Sequence, residues 1–126
     1  MIQPISDAEL DIMKIVWANN GPTLFAYIMD ELALKEKTWQ KNTVITLLSR
    51  LMDKDFLKAK KTGRRNEYTP LVSETEYQTT QTKDFLNKIY EGNAKGLISN
   101  LIQSDLLADD EYDALKSLIE GGKRNE

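Results

Sequence analysis

The spacing of apolar side chains predicts three helices in the first part of the chain. Ser6 and Glu9 have the S-x-x-E spacing of a capping box, and the apolar residues after them recur with a helical period. The turn-forming stretch "NNGP" ends this first helix. Thr23 stands where it would cap a second helix, and a third apolar period follows the charged stretch "KEKT". These patterns predict helices over residues 7–18, 24–34 and 40–54.

The pattern changes after the third helix. "FLKAKKT" alternates loosely, "GRRN" forms a turn around Gly63, and "EYTP" returns as a strand that Pro70 ends, which predicts a small hairpin. Ser73 and Glu76 then repeat the capping-box spacing at the start of a long helix. Further apolar periods predict helices over residues 73–90, over residues 94–103 and from residue 108 onward. The chain should therefore be mainly α with a small β-hairpin, in two parts that meet near Leu71.

The residue types that the chain lacks limit its chemistry. None of its 126 residues is cysteine or histidine, so thiolate chemistry and the commonest general base and metal ligand are excluded. We therefore expect no catalytic residues, no metal site and no cofactor. The start of the chain does not resemble a signal peptide, and no apolar run is long enough to span a bilayer, so we expect a cytoplasmic protein without direct membrane binding.

Charge is strongly segregated along the sequence. Residues 35–65 contain ten Lys or Arg and three Asp or Glu, although the whole chain has a formal net charge of −3. Five of these basic side chains lie in the predicted hairpin. Such a concentration of positive charge in an acidic protein indicates a polyanionic partner.

Three helices followed by a basic hairpin is the order of a winged helix-turn-helix domain. In that fold the third helix enters the major groove of DNA and the hairpin, or wing, lies along the flanking backbone. We therefore predict a winged helix-turn-helix domain over residues 1–71 that binds double-stranded DNA. The candidate contacts in the recognition helix are Gln40, Lys41, Asn42, Thr43, Ile45, Thr46 and Arg50. Those in the wing are Lys58, Lys60, Lys61, Arg64 and Arg65.

The residue types in the third helix suggest separate roles. Asn42 is a candidate reader of adenine, while Thr43 and Thr46 are candidates for contact with phosphate or a thymine methyl group. Arg50 and Lys54 should face the DNA backbone further along. Each assignment has a structural alternative, because Asn42 and Thr43 could be ordinary helix-start residues and Arg50 could pair with a neighbouring carboxylate. The wing lysines could likewise serve only to keep a strand edge from pairing.

The three C-terminal helices are rich in Leu, Ile and Tyr, but they are too few to bury those side chains easily by themselves. We therefore predict a three-helix dimerisation domain over residues 72–126 and a homodimer that presents two recognition helices to a palindromic site. The alternative is that these helices fold back on the first domain. The candidate dimer contacts are Phe85, Leu86, Ile89, Tyr90, Leu97, Ile98, Leu101, Ile102, Tyr112, Leu115, Leu118 and Ile119.

Four stretches of the sequence carry a family resemblance. They are "ISDAELDIMKIVW" at residues 5–17, "TWQKNTVITLLSRLMDKDFL" at 38–57, "RNEYTP" at 65–70 and "FLNKIYEGNAKGLISNLI" at 85–102. Together they resemble the penicillinase-repressor family of the BlaI and MecI type. The resemblance covers nearly the whole chain and is more specific than a generic helix-turn-helix pattern.

This resemblance implies a homodimeric transcriptional repressor that occupies a palindromic operator upstream of antibiotic-resistance genes. It also implies a second partner, a membrane sensor protease that detects β-lactams and triggers cleavage in the dimerisation domain, which releases the DNA. In the family the cut falls between Asn and Phe in an "LNF"-like stretch. The matching stretch here is "ISNLI", so the candidate bond joins Asn100 to Leu101.

Two positions depart from the family pattern. Leu101 replaces the aromatic residue that follows the cut. Ile45 stands where staphylococcal-type members carry Arg, so a bidentate base contact is missing and the operator sequence cannot be carried over. Ile45 is a candidate for a thymine-methyl contact. The family's copper-responsive branch uses a cysteine cluster, and the absence of cysteine excludes that mode of sensing.

Two other function classes serve as alternatives. A protein-binding adaptor built on the winged domain would show an exposed apolar patch on the third helix, where only Ile45 fits. A carboxylate-based enzyme would need two acidic groups with separated pKa values in a cleft. The acidic cluster at residues 109–113 is better interpreted as charge that stabilises a helix start.

Overall fold

The computed structural model describes residues 2–122 and has the predicted mainly α architecture with a small antiparallel sheet. The helices are α1 (Asp7–Ala18), α2 (Phe25–Leu34), α3 (Lys41–Asp53), α4 (Glu74–Tyr90), α5 (Ala94–Gln103) and α6 (Asp109–Gly122). The strands are β1 (Thr23–Leu24), β2 (Leu57–Thr62) and β3 (Arg65–Pro70). The order of three helices, hairpin and three helices confirms the predicted fold class.

Both predicted capping boxes are present. The Ser6 hydroxyl accepts a hydrogen bond from the Glu9 N–H at 3.1 Å, and the Glu9 carboxylate accepts one from the Ser6 N–H at 2.7 Å. Ser73 and Glu76 make the same reciprocal pair at the start of α4, at 3.0 and 2.9 Å. The hydrogen bonds from Ser73 hold the pKa of Glu76 below its usual value.

Thr23 does not cap α2, so that prediction is wrong. Its side chain is buried, donates a hydrogen bond to the Gly21 carbonyl at 3.0 Å and accepts one from Asn19 at 3.1 Å. Its backbone begins β1, which pairs with β3 in the sheet order β1-β3-β2, with Thr23 opposite Tyr68. Thr23 therefore pairs with the hairpin and does not cap α2 as the sequence pattern predicts.

A hydrophobic core lies between α1, α2, α3 and the sheet. Its buried side chains are Ile12, Met13, Ile15, Val16, Ile28, Leu32, Val44, Leu47, Leu48, Leu51, Phe56, Leu57, Tyr68, Val72 and Tyr77. Four of them, from Val44 to Leu51, form one face of α3 and leave the opposite face exposed.

The start of α4 packs onto this core. Tyr77 is buried, and its ring packs edge-on against that of Phe56, with 5.4 Å between the ring centroids. Its hydroxyl accepts a hydrogen bond from the Ile5 N–H at 3.2 Å. The contacts within the chain define two compact units, the first over residues 1–81 and the second over residues 82–126. Their boundary lies inside α4, beyond the boundary near Leu71 that the sequence predicts. The assignment of residues 1–71 to DNA binding and 72–126 to dimerisation stays a prediction, and Met1 and residues 123–126 lie outside the described residues.

A tight reversal joins α3 to the wing. Asp55 has a φ of 61°, in the left-handed region, and its N–H donates to the Met52 carbonyl at 3.0 Å. The next N–H, of Phe56, donates to the Leu51 carbonyl at 2.9 Å, which completes a Schellman motif. The reversal places Phe56 in the core, and β2 begins at the following residue.

Candidate nucleic-acid interface

The predicted contacts on α3 all lie on its exposed side. Burial of the apolar face fixes the rotation of the helix about its axis, because the positions between the buried ones must then point away from the core. The exposed candidates are Gln40, Lys41, Asn42, Thr43, Ile45, Thr46 and Arg50. Apart from Ile45, which is 44% exposed, this surface is polar or basic, so it lacks the apolar patch that a protein-binding adaptor would need.

The first turn of α3 has no side-chain cap. Gln40 is the N-cap residue and its side chain makes no capping hydrogen bond, unlike the serines that cap α1 and α4. Asn42 and Thr43 lie inside the first turn, so neither of them is the N-cap. The N–H groups at this helix end can therefore meet an anionic group such as a phosphate.

Thr46 uses its hydroxyl proton within the helix. The hydroxyl donates to the Asn42 carbonyl at 3.0 Å, four residues earlier. Donation to a DNA phosphate would require this bond to break, whereas contact between its methyl group and a thymine methyl would not. Of the two roles considered for Thr46, the apolar one fits the structure better.

The basic residues near the end of α3 differ in their surroundings. Arg50 is exposed and forms no ion pair within residues 2–122, so the pairing considered as its alternative is not formed. Lys54 lies 2.8 Å from the buried carboxylate of Glu9 in α1. The prediction that Lys54 faces DNA is therefore wrong, because its charge neutralises a carboxylate inside the protein.

Burial and the neighbouring charge shift the pKa of Glu9 in opposite directions. Desolvation acts to raise the pKa of this carboxyl, but the hydrogen bonds from Lys54 and Ser6 and the charge of Lys54 outweigh it. The pKa of Glu9 therefore lies below its usual value. Its second oxygen, Oε2, is buried without a hydrogen-bond partner among the described residues.

The wing is formed by β2, β3 and the turn between them. Thr62 pairs with Arg65 across a two-residue loop whose first residue, Gly63, has a φ of 64°, as a type II′ turn requires. After Leu57, every residue of β2 is exposed, and so is the loop. The structure thus exposes all five wing candidates, namely Lys58, Lys60, Lys61, Arg64 and Arg65.

A concavity of about 520 Å³ brings the two sets of candidates together. Lys41 and Ile45 of α3 line it together with Arg64 and Arg65 of the wing. The sequence pattern did not associate the rest of its lining with the site, namely Leu24, Phe25, Ala26, Asn66 and Tyr68. No sequence signal identifies the first three, because the β1 strand that holds the start of α2 against the wing is only two residues long.

The second unit exposes much of its apolar surface. None of the twelve predicted dimer contacts is buried in the described chain, and Leu118, Ile89 and Ile119 are 69%, 56% and 56% exposed. A concavity of about 170 Å³ among α5 and α6 is lined by Ile102, Tyr112, Leu115, Lys116, Ile119 and Glu120. Exposure of this kind is expected of a surface that a partner covers.

The candidate cleavage bond lies within α5. Asn100 donates a hydrogen bond to the Tyr90 hydroxyl at 2.7 Å and accepts one from the Ser104 hydroxyl at 2.7 Å. Leu101 is half-buried, and its carbonyl accepts the Leu106 N–H at 3.2 Å. A protease that needs an extended substrate could reach this bond only after local unwinding of the helix.

No helix within residues 2–122 combines the length and the apolar character that a bilayer-spanning segment requires.

Comparison with known sequences gives matches over most of the chain. The profile of the penicillinase repressor family matches residues 5–121. The penicillinase repressor of Bacillus licheniformis is 34% identical over 122 residues, which cover 97% of this chain and 94% of that protein. The methicillin resistance regulatory protein MecI of Staphylococcus aureus (strain N315) is 32% identical over 121 residues, with 91% and 92% coverage.

Solved structures give a parallel result over part of the chain. The solution structure of the DNA binding domain of the repressor BlaI superposes with a TM-score of 0.53 at 39% identity and covers 61% of this chain. Monomeric BlaI of Bacillus licheniformis in complex with the blaP half-operator gives 0.51, also at 39% identity and 61% coverage. Each alignment covers 92% of the BlaI chain.

These matches agree with the geometry of α3 and the wing. They also fit the argument against an enzyme, because the family consists of transcriptional repressors with a winged-helix DNA-binding fold. The profile match and the similarity to the two repressors both extend into the second unit. The chain therefore belongs to the penicillinase repressor family.

Proposed function

We propose that this protein is a transcriptional repressor that binds a palindromic operator as a homodimer and blocks transcription. The observation that carries the proposal is the basic surface that α3 and the wing share around one concavity. Among the described residues, none of its cations is neutralised by an ion pair. The complex of BlaI with a half-operator supports DNA as the partner, and that partner makes the cytoplasm the proposed site of action.

In this proposal the wing and the recognition helix have different tasks. Arg64, Arg65 and the three wing lysines bind phosphates, which supplies affinity without sequence preference. The first turn of α3 enters the major groove, where Asn42 reads a base edge and Ile45 contacts a thymine methyl group. Selectivity therefore depends on α3 and affinity depends mainly on the wing.

The salt dependence of DNA binding tests this division. Replacing both Arg64 and Arg65 by Ala should weaken binding to all duplexes about equally and reduce the slope of log affinity against log salt by about two, because two phosphate contacts are lost. Asn42→Ala should instead relax the preference at particular base pairs, at a cost of about 1–3 kcal/mol there. Fluorescence anisotropy with a set of duplexes over a salt series measures both effects.

The matched control is Lys14→Ala, which removes an exposed positive charge from α1, outside the proposed interface. Its salt slope should equal that of the wild type. A flat salt response of the wild-type protein would contradict DNA binding through phosphates, and an equal loss on every duplex from Asn42→Ala would contradict its role in base reading.

Dimerisation is supported by the exposed apolar surface of the second unit. Two copies that cover each other's exposed apolar side chains would remove that surface from water, and a two-fold dimer would present two α3 helices to two half-sites. Two of its relatives are a penicillinase repressor and a regulatory protein of methicillin resistance. By analogy, we propose that this protein controls antibiotic-resistance genes.

We further propose that a membrane sensor protease releases the repressor by cleavage between Asn100 and Leu101. Support comes from the match of "ISNLI" to the family's cleavage stretch, and the bond's position inside α5 implies that unwinding precedes cleavage.

Intact-mass spectrometry tests the proposed cleavage in cells that co-express this protein with the sensor protease of a penicillinase repressor system. A β-lactam should produce a fragment that ends at Asn100. An intact chain, in cells where that system's own repressor is cut, would rule the cleavage out.

A further inference from the structure

The concavity between α2, α3 and the wing has the features of a small-molecule site. Its volume of about 520 Å³ lies within the range of about 300–1,000 Å³ that is usual for such sites. We call it the α3–wing pocket. Its apolar lining consists of Leu24, Phe25, Ala26, Ile45 and Tyr68, and its polar lining consists of Lys41, Arg64, Arg65 and Asn66.

The charge of the α3–wing pocket indicates an anionic ligand. No carboxylate lines it, and Lys41, Arg64 and Arg65 form no ion pair within residues 2–122. Arg binds carboxylates through two parallel hydrogen bonds, and Asn66 can donate a further one through its amide. A DNA phosphate would use these donors but would leave the apolar lining without a partner.

The apolar lining narrows the class of ligand. A ring or branched apolar group packed on Phe25 and Ile45 would remove their exposed surfaces from water, while its carboxylate met the basic side chains. We propose that the α3–wing pocket binds a small aromatic carboxylate and that this ligand competes with DNA. The competition rests on the proposed function, because Lys41, Ile45, Arg64 and Arg65 are also the proposed DNA contacts.

Titration of the full-length protein with 2-naphthoate, without DNA, tests the site directly. Calorimetry should give saturable binding, and the uncharged 2-naphthylmethanol should bind at least about tenfold more weakly because it cannot pair with Arg. Arg65→Ala should lower the affinity for 2-naphthoate about tenfold. Lys58→Ala removes the same charge from the wing outside the pocket and should change it less than about twofold.

Ala26→Trp provides an independent test. Ala26 is exposed, so a larger side chain there can fill the pocket without crowding the core, and binding of 2-naphthoate should be lost. Circular dichroism checks that the variant folds, and Ala26→Ser is the matched substitution that leaves the pocket open. Equal binding of the alcohol and the carboxylate, or unchanged binding by a folded Ala26→Trp protein, would overturn the assignment.

Competition is measured with the duplex that the protein binds most tightly in the anisotropy series. Saturating 2-naphthoate should raise the apparent Kd for this duplex at least about tenfold in the wild type and should leave that of Ala26→Trp unchanged relative to its own value without ligand. An unchanged Kd in the wild type would overturn the competition. If the unliganded protein does not bind DNA, the proposed function fails, while the titration without DNA still decides whether the pocket binds the carboxylate.

Discussion

Replacing Leu118 by Glu should convert the proposed dimer to a monomer and lower the affinity for a palindromic operator by about 100-fold or more. Leu118 is 69% exposed, so the substitution removes little packing within one copy of the chain. In the dimer it would place a charge in an apolar interface, which is strongly unfavourable without a partner. The loss of affinity follows because two linked half-site contacts bind far more tightly than one.

The control for this variant is Ser117→Glu. Ser117 is also exposed and lies on α6, but it is off the apolar face that carries Tyr112, Leu115, Leu118 and Ile119. Both variants gain the same charge. Sedimentation velocity should find Ser117→Glu dimeric and Leu118→Glu monomeric. If Leu118→Glu remains dimeric with wild-type operator affinity, α6 does not form the interface.

Replacing Lys54 by Met should lower the free energy of unfolding by about 3 kcal/mol, because it leaves the buried Glu9 carboxylate without its cation. Glu9 is 1% exposed and one of its oxygens already lacks a partner among the described residues. Lys54 itself is 28% exposed, so the loss should lie near the lower end for a buried pair. Urea unfolding at one fixed protein concentration measures the change.

A double variant separates the charge from the packing. Glu9→Gln keeps an acceptor for the Ser6 N–H and leaves Lys54 free to reach solvent, so alone it should cost about 1 kcal/mol. Combining it with Lys54→Met should recover most of the loss, because no buried charge then remains. Lys37→Met breaks the pair of exposed Lys37 with half-buried Asp11 and should cost less than about 1 kcal/mol. A loss of equal size in Lys54→Met and Lys37→Met would show that burial of Glu9 is unimportant.

The contribution of Glu9 to the stability of the fold should decrease as the pH falls. The pKa of Glu9 is lower in the folded protein than its ordinary value of 4.5, so its contribution to stability is present above that value and is lost as pH falls through the folded pKa. Lys54→Met removes the hydrogen bond and the charge of Lys54, both of which lower the pKa of Glu9, so this pKa should be higher in the variant than in the wild type. The difference in stability between the wild type and Lys54→Met should therefore shrink on acidification.

Local sequence patterns predicted most of the fold because the interactions that determine it are local. The capping boxes of Ser6 with Glu9 and Ser73 with Glu76 lie within single helix turns, and the apolar period of α3 fixes its buried face. Family membership and the repressor role could also be predicted, because the motifs extend along nearly the whole chain.

The failures involve contacts between distant parts of the chain. The two-residue strand β1 is too short to give a periodic signal, and only its pairing with Tyr68 reveals it, so Thr23 was assigned to a cap. Lys54 looks like any other basic residue at the end of a helix. Its partner Glu9 lies 45 positions earlier and has the pattern of an ordinary capping residue. The α3–wing pocket could not be predicted for the same reason.

The Schellman reversal at Asp55 has a consequence for how DNA would be selected. It leaves Lys54, Asp55 and Phe56 between α3 and β2, and Phe56 is buried in the core. The connection is therefore short and fixed at one end, which restricts movement of the wing relative to α3. In the proposed complex, a duplex must present its major groove and the neighbouring backbone at one fixed separation. Groove width varies with base sequence, so base pairs that no side chain touches would also affect the binding energy.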